Sequence, residues 1–235
     1  MNPDVLIIAG GSASGKSTVV KELMGSRIAP HLATVLTTTT RAKREGEADN
    51  AYNFLTTTEF REGIDKGKFI EFDMVNGNFY GLQRDDLQSS VQKAREVGGV
   101  AIVILTPPGA MAAKNFLSDS GVHSVATFID CPHEQQIVRL VSRFISEKRQ
   151  LESAGGEPSD VRGLADTYAD RLTHVKEVEN KWGVDYDWDY KINNGEGRQI
   201  RDLVDEIQTI ISINPESPAI EKAAVLESSR TPGMS

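Results

Sequence analysis

The chain has 235 residues, of which 39% are hydrophobic and 26% charged, with a formal net charge of -8. That is enough for one large domain, or one domain with lobes, and the acidic balance excludes a general nucleic-acid surface, because phosphates would be repelled except at a local pocket. A single cysteine, Cys131, excludes an internal disulfide, and no apolar run approaches a signal segment or a bilayer span, so a cytoplasmic protein is expected.

The first apolar run, residues 5–9, leads straight into Gly10-Gly11-Ser12-Ala13-Ser14-Gly15-Lys16-Ser17-Thr18. Further short β-branched runs recur at 35–40, 69–75, 100–105, 125–129 and 190–192, with helical patterns between most of them. The alternation predicts an α/β fold with a largely parallel sheet. Between 34 and 82 the strands crowd together around one short helix near 58–66, which predicts a small β-rich lobe. Ile137, Leu140, Val141, Phe144 and Ile145 recur at three- and four-residue spacing and predict a helix over 135–145. The next stretch, 146–160, is polar, contains Gly155-Gly156 and Pro158, and reads as a mobile loop or lid. Helices are expected over 164–182, with a long polar face, and over 201–211, where Leu203, Val204, Ile207, Ile210 and Ile211 align. Beyond Asn214 the chain has proline, serine and glutamate with little periodicity and reads as a disordered tail.

The spacing Gly10-x4-Gly15-Lys16-Ser17 between a strand and a helix is that of a phosphate-binding loop. Glycines let backbone N–H groups curl around phosphate oxygens, and the helix N-terminus adds the positive end of its dipole. Gly11, Ser12, Ala13, Ser14, Gly15, Lys16, Ser17 and Thr18 are therefore expected to hold ATP, with Lys16 bridging the outer phosphates and Ser17 ligating Mg2+. A second cationic cluster, Arg41 and Arg44 with Lys43 between them, follows Thr37 in an otherwise acidic chain. Arginine suits multidentate contact with a phosphate, and Tyr52 and Tyr80 add phenolic donors further along; taken alone, the cluster also reads as a solvated basic turn. Asp185, Asp187 and Asp189 alternate with Tyr186, Trp188 and Tyr190, which fits a metal site but more simply a strand entrance with one packed face. His133 suits a helix start and Cys131 a small buried residue.

The segments GGSASGKST, TTTTRAKREGE, YNF, FIEFDMVNGNFYG and VRLVSRF follow one another in the order and approximate spacing of guanylate kinases, and the chain resembles that family from about Val5 to Ile211. The resemblance implies a P-loop kinase core, a β-rich nucleoside-monophosphate lobe over 35–83 and a helical lid over 144–170, within a domain of 1–213 followed by the tail at 214–235. It implies that Arg41 and Arg44 bind the acceptor phosphate, that Tyr52 and Tyr80 assist them, that Thr37 contacts the base and that Glu71 reads the guanine N1–H and 2-amino edge. It further implies that Arg139, Arg143 and Arg171 act with Lys16 on the transferring phosphoryl group, and that Asn193 or Asn194 lies near the donor nucleotide.

The implied activity is ATP- and Mg2+-dependent phosphorylation of a nucleoside monophosphate, GMP or dGMP, with no general nucleic-acid or membrane partner. Three residues depart from the family pattern: Leu82 stands where serine or threonine is usual, and Ile104 and Thr106 where two aspartates are. Segment 146–160 also lengthens the lid region. These departures leave open a kinase for another or modified (deoxy)nucleoside monophosphate, or for a different small phosphorylated acceptor. A non-catalytic module that grips a phosphorylated ligand is a third reading, against which the intact Gly15-Lys16-Ser17 speaks.

Overall fold

The computed structural model describes residues 2–43, 47–49, 51–75 and 77–212; Arg44 and the expected tail lie outside the described residues. The fold is built around strand β1 (Val5–Gly10), which is buried along its whole length, as a central strand covered on both faces must be. It sits between β7 (Val100–Ile104) and β8 (Ser124–Asp130), and β2 (Leu32–Thr34) and β9 (Tyr190–Asn193) complete a five-stranded sheet of order β2-β7-β1-β8-β9 with every pair parallel.

Alternate side chains of β1 feed two separate cores. Val5, Ile7 and Ala9 pack with Leu87 of α3 (Arg84–Glu96) and Ala110 and Leu117 of α4 (Pro107–Asp119). Leu6 and Ile8 pack on the other face with Val19 and Leu23 of α1 (Lys16–Met24) and Leu203 and Ile207 of α8 (Ile200–Ile210). The strand order reverses direction at β1, so the crevice beyond its carboxyl end is where a doubly wound sheet takes its ligand.

A second, four-stranded sheet of order β4-β3-β6-β5 is formed by β3 (Thr38–Thr39), β4 (Asn53–Phe54), β5 (Phe69–Val75) and β6 (Asn78–Gln83). Its helix α2 (Thr57–Asp65) begins at a Thr56/Glu59 capping box and inserts Phe60 against Phe69 and Phe79, with ring centroids 4.3 and 5.2 Å away. Of the run at 35–40, expected as one strand, only Thr38 and Thr39 form one, β3 of the small sheet; β2 of the parallel core ends just before the run, and 35–37 is the crossing between the sheets.

The stretch at 146–160, expected as a loop, is largely helical. Helix α5 (His133–Ser153) runs through it, supported by strong helix formers and a Lys148–Glu152 ion pair of 2.6 Å, and α6 (Pro158–Glu177) starts after a short turn. Gly155, at φ 81°, ends α5, and Pro158 starts α6, so the Gly-Gly-Glu-Pro signal marks a helix–helix corner rather than a long loop. Leu140, Tyr168 and Val175 form the core between these helices, and Ala13 of the phosphate loop packs against it. After α6 the chain makes a 3-10 turn (Glu179–Lys181) and a single-turn helix α7 (Trp182–Asp185). No helix among the described residues is long and apolar enough to cross a membrane.

Candidate active site

A cleft of about 440 Å³ opens beyond the carboxyl end of β1. The phosphate loop forms one wall, with Gly10, Ser12 and Lys16; Thr37, Tyr52, Glu71 and Tyr80 of the small sheet region form the facing wall; and Arg171, His174 and Trp182 close the side.

The loop carries two residues in left-handed backbone, the kind of conformation found in anion-binding turns. Ala13 lies at φ 56° and Gly15 at φ 102°, both left-handed. A β-carbon on Gly15 would stand 2.5 Å from Asn194 Nδ2, whose amide donates to the Ser14 carbonyl at 2.7 Å, so glycine is needed there for both conformation and space. Helix α1 starts directly after it with no side-chain cap and no acidic residue in its first turn, which leaves its N-terminus open to an anion. The Lys16 ammonium folds back across the loop and donates to the carbonyls of Gly10 and Gly11 at 2.7 Å each. Burial pushes its pKa down to about 8, against the raising influence of the nearby Glu179 carboxylate. Ser17 and Thr18 are exposed on the first turn of α1.

On the facing wall the four consecutive threonines have separate tasks. Thr37 faces the cleft. Thr38 and Thr39 are buried: Thr38 Oγ1 accepts from Gln83 at 2.8 Å, and Thr39 Oγ1 donates to the Phe79 carbonyl and accepts the Arg41 N–H. Thr40 Oγ1 accepts the Phe79 N–H at 2.9 Å. The turn that carries Arg41 is thereby tied to β6. The Arg41 guanidinium is held bidentately by Glu47 at 2.7 and 3.1 Å and lies over the rings of Tyr52 and Phe54 at 5.5 and 5.9 Å. Tyr52 and Tyr80 meet edge to face at 6.3 Å.

Glu71 lies on β5, where burial, with a smaller contribution from Asp73, lifts its carboxyl to about 7. Thr106 caps α4 by accepting the Gly109 N–H at 3.4 Å, and Pro107 and Pro108 occupy the first helical positions. Of the departures from the family pattern, Ile104 faces the cleft, whereas Leu82 is fully buried in the core with Val35 and Leu105.

The three arginines expected around the phosphoryl group are placed differently. Arg139 donates to the carbonyls of Ala13 and Asn194, both at 3.2 Å, and so stands at the rim of the phosphate loop. Arg171 faces the cleft and lies over Tyr168 at 5.3 Å. Arg143 is exposed, and its charge lowers the pKa of Lys16. In the aspartate run, Asp189 accepts the Ala126 N–H at 2.7 Å and pairs with Lys114 at 2.8 Å, while Trp188 is buried against Phe128.

Sequence reasoning missed Glu179. Its buried carboxylate accepts the Ser12 N–H at 2.5 Å and the Ser12 hydroxyl at 2.7 Å, so both polar hydrogens of a residue expected to face phosphate are directed elsewhere. Gln136 was missed as well; it and Glu179 flank Gly11, where a β-carbon would approach them to 2.7 and 2.8 Å. Neither residue carries a local signature. Asn194 was foreshadowed, together with Asn193, by the family resemblance.

The guanylate kinase family model matches residues 2–162. This chain belongs to the guanylate kinase family. It is 39% identical over 156 residues to a guanylate kinase of Helicobacter pylori (strain J99), covering 65% of this chain and 71% of that one. It is 29% identical over 163 residues to a guanylate kinase of Campylobacter jejuni (strain RM1221), covering 67% and 76%. The crystal structure of guanylate kinase from Anaplasma phagocytophilum superposes with a TM-score of 0.55 at 22% identity, covering 97% of this chain and 95% of that one, and shows the shared fold. The guanylate kinase family match ends within α6, ahead of Arg171, His174 and Glu179.

Proposed function

We propose that this guanylate kinase family member transfers a phosphoryl group from ATP to GMP or dGMP. One observation carries the reading: the turn bearing Lys16 and the wall bearing Glu71, Tyr52 and Tyr80 open onto a single cleft, with Arg171 at its side. The uncapped start of α1 and the left-handed backbone at Ala13 and Gly15 fit a polyphosphate. The Ser17 hydroxyl, exposed on the first turn of α1 directly after Lys16, is assigned to Mg2+ together with phosphate and water oxygens. When bound, Mg·ATP supplies the phosphoryl group and part of its charge neutralisation.

The protein's share is positioning and charge. Lys16 exchanges its two loop carbonyls for phosphate oxygens. Arg41 and Arg44, with Tyr52 and Tyr80, hold the acceptor phosphate in line, and Thr37 and Glu71 orient the base. Arg139, Arg143 and Arg171 add positive charge around the equatorial oxygens. The acceptor phosphate is already an anion near pH 7, so no general base is assigned. Two anions repel in open water, and closure of the small lobe (35–83) and the helical pair (lid, 144–170) over the cleft replaces that water with fixed cations.

A second reading, a kinase for another or modified (deoxy)nucleoside monophosphate, draws on Ile104 and Thr106, where the base and cation sites lack the expected carboxylates. Incubation with Mg·ATP and a panel of ribo- and deoxyribonucleoside monophosphates, following ADP, tests both. Fastest turnover with a guanine nucleotide supports the first reading, and preference for another base supports the second. No turnover with any member removes both and favours a phospho-ligand-binding module.

A further inference from the structure

A fully buried carboxylate needs partners, because removing an ionised group from water costs far more than one hydrogen bond returns. Glu179 is 6% exposed and has three such partners. One oxygen accepts the Ser12 N–H; the other accepts the Ser12 hydroxyl and the Nδ1–H of His174, the last at 3.1 Å. Ser12 belongs to the phosphate loop, immediately before the left-handed Ala13. His174 lies on α6 three residues after Arg171, so the two share a helix face, and both face the cleft. Through this one carboxylate the 3-10 turn is bonded both to the donor cradle and to the helix face bearing Arg171.

The same junction is supported by packing. Ala13 rests on the Leu140–Tyr168–Val175 core, and Gly11 has no β-carbon to block the approach of Glu179. A carboxylate standing in for a bound phosphate would face Lys16. Here Lys16 is near enough to feel the Glu179 charge but donates to the Gly10 and Gly11 carbonyls, and the basic side chain that Glu179 touches is His174.

We propose that Glu179 is a positioning residue of the donor site: by gripping both polar hydrogens of Ser12 and one ring nitrogen of His174, it holds the phosphate turn in register with the helix face that carries Arg171. It borders the cleft, and its part is played through these two residues rather than on the substrate. The kinetic arm of its test rests on the phosphoryl transfer proposed above; the binding arm does not.

ADP binding with Mg2+ and no acceptor is measured by calorimetry on the full chain, beside steady-state kcat and KM. The variants are Glu179→Ala, Glu179→Gln, Ser12→Ala, Arg171→Ala and the double variant Glu179→Ala with Arg171→Ala. Glu179→Ala is expected to weaken ADP by about tenfold or more and to lower kcat similarly, with the acceptor KM within roughly twofold. Glu179→Gln keeps an oxygen for the Ser12 N–H and restores ADP affinity to within about threefold of wild type. Adding Arg171→Ala to Glu179→Ala costs less than about twofold more in kcat, because Arg171 is already out of place. Should Glu179→Ala fail to fold, Ser12→Ala carries the test, with ADP weakened by about threefold or more.

Unchanged or tighter ADP binding by Glu179→Ala overturns the proposal, the tighter case making the carboxylate a plug that the nucleotide displaces. So does a Gln variant as weak as Ala, an unchanged Ser12→Ala in its place, or independent multiplicative losses of kcat at 179 and 171. A wild-type chain that binds ADP but turns over no monophosphate removes the proposed activity, and the ADP series still decides the role of Glu179.

Discussion

The Glu71 carboxylate lies against the α-carbon of Gly109, so close that a β-carbon there would stand 2.8 Å from its Oε2. Gly109→Ala therefore pushes Glu71 out of its position while improving the helical propensity of α4. The acceptor KM is expected to rise by about tenfold, with ADP affinity and the melting temperature at or above wild type. An unchanged acceptor KM would remove Glu71 from base recognition.

Burial lifts the Glu71 carboxyl from 4.5 to about 7, so it is neutral below that pH and ionised above it. A guanine edge donates two hydrogens and prefers the anion, so kcat/KM for GMP should climb as pH rises through 7, and Glu71→Gln should flatten the profile. The stability effect has the opposite sign. The folded chain holds a proton that the unfolded chain releases between 4.5 and about 7, and stability falls as pH rises through that window. Glu71→Gln is then the more stable protein at pH 8, by up to about 3 kcal/mol, as thermal melts at pH 5 and 8 would show.

Arg41 offers a flat, forked cation held by Glu47 and stacked over Tyr52. Arg41→Ala should raise the acceptor KM by about tenfold or more with little change in ADP binding. Arg41→Lys should not restore it, because an ammonium reproduces neither the fork nor the stacking. Restoration by lysine would reduce the role of Arg41 to charge alone.

Phe60 is fully buried, with Phe69 and Phe79 stacked on its ring. Phe60→Ala should cost roughly 3–5 kcal/mol. Hydrogen exchange should show the loss first in the small sheet, with β1 and β8 still protected; uniform loss would mean that the two sheets unfold as one unit.

What the sequence made legible was local. The phosphate loop and the short helix of the small lobe could be read because their signals lie within a dozen residues. The run at 35–40 misled because β-branched residues suit a strand in either sheet, and nothing in them marks the place where the chain changes sheets. Segment 146–160 misled because glycine and proline dominated the reading, whereas the residues before them, Glu147 to Glu152, are helix formers with an internal ion pair. On the candidate site, the two walls were readable from motif order. Glu179 was not, since its partner Ser12 lies 167 positions away. A carboxylate in a polar helical stretch looks solvated until the fold brings a backbone N–H to it.

The small sheet has one more property. Thr38 of the incoming strand and Gly81 of the outgoing strand are direct ladder partners, so the chain enters and leaves this lobe through a single doorway. Replacing residues 39–80 leaves every strand of the parallel core covalently and topologically intact, provided the graft keeps a face that packs on α4 as β5 does. A different acceptor specificity is therefore within reach of a graft at one seam, with the donor machinery left in place.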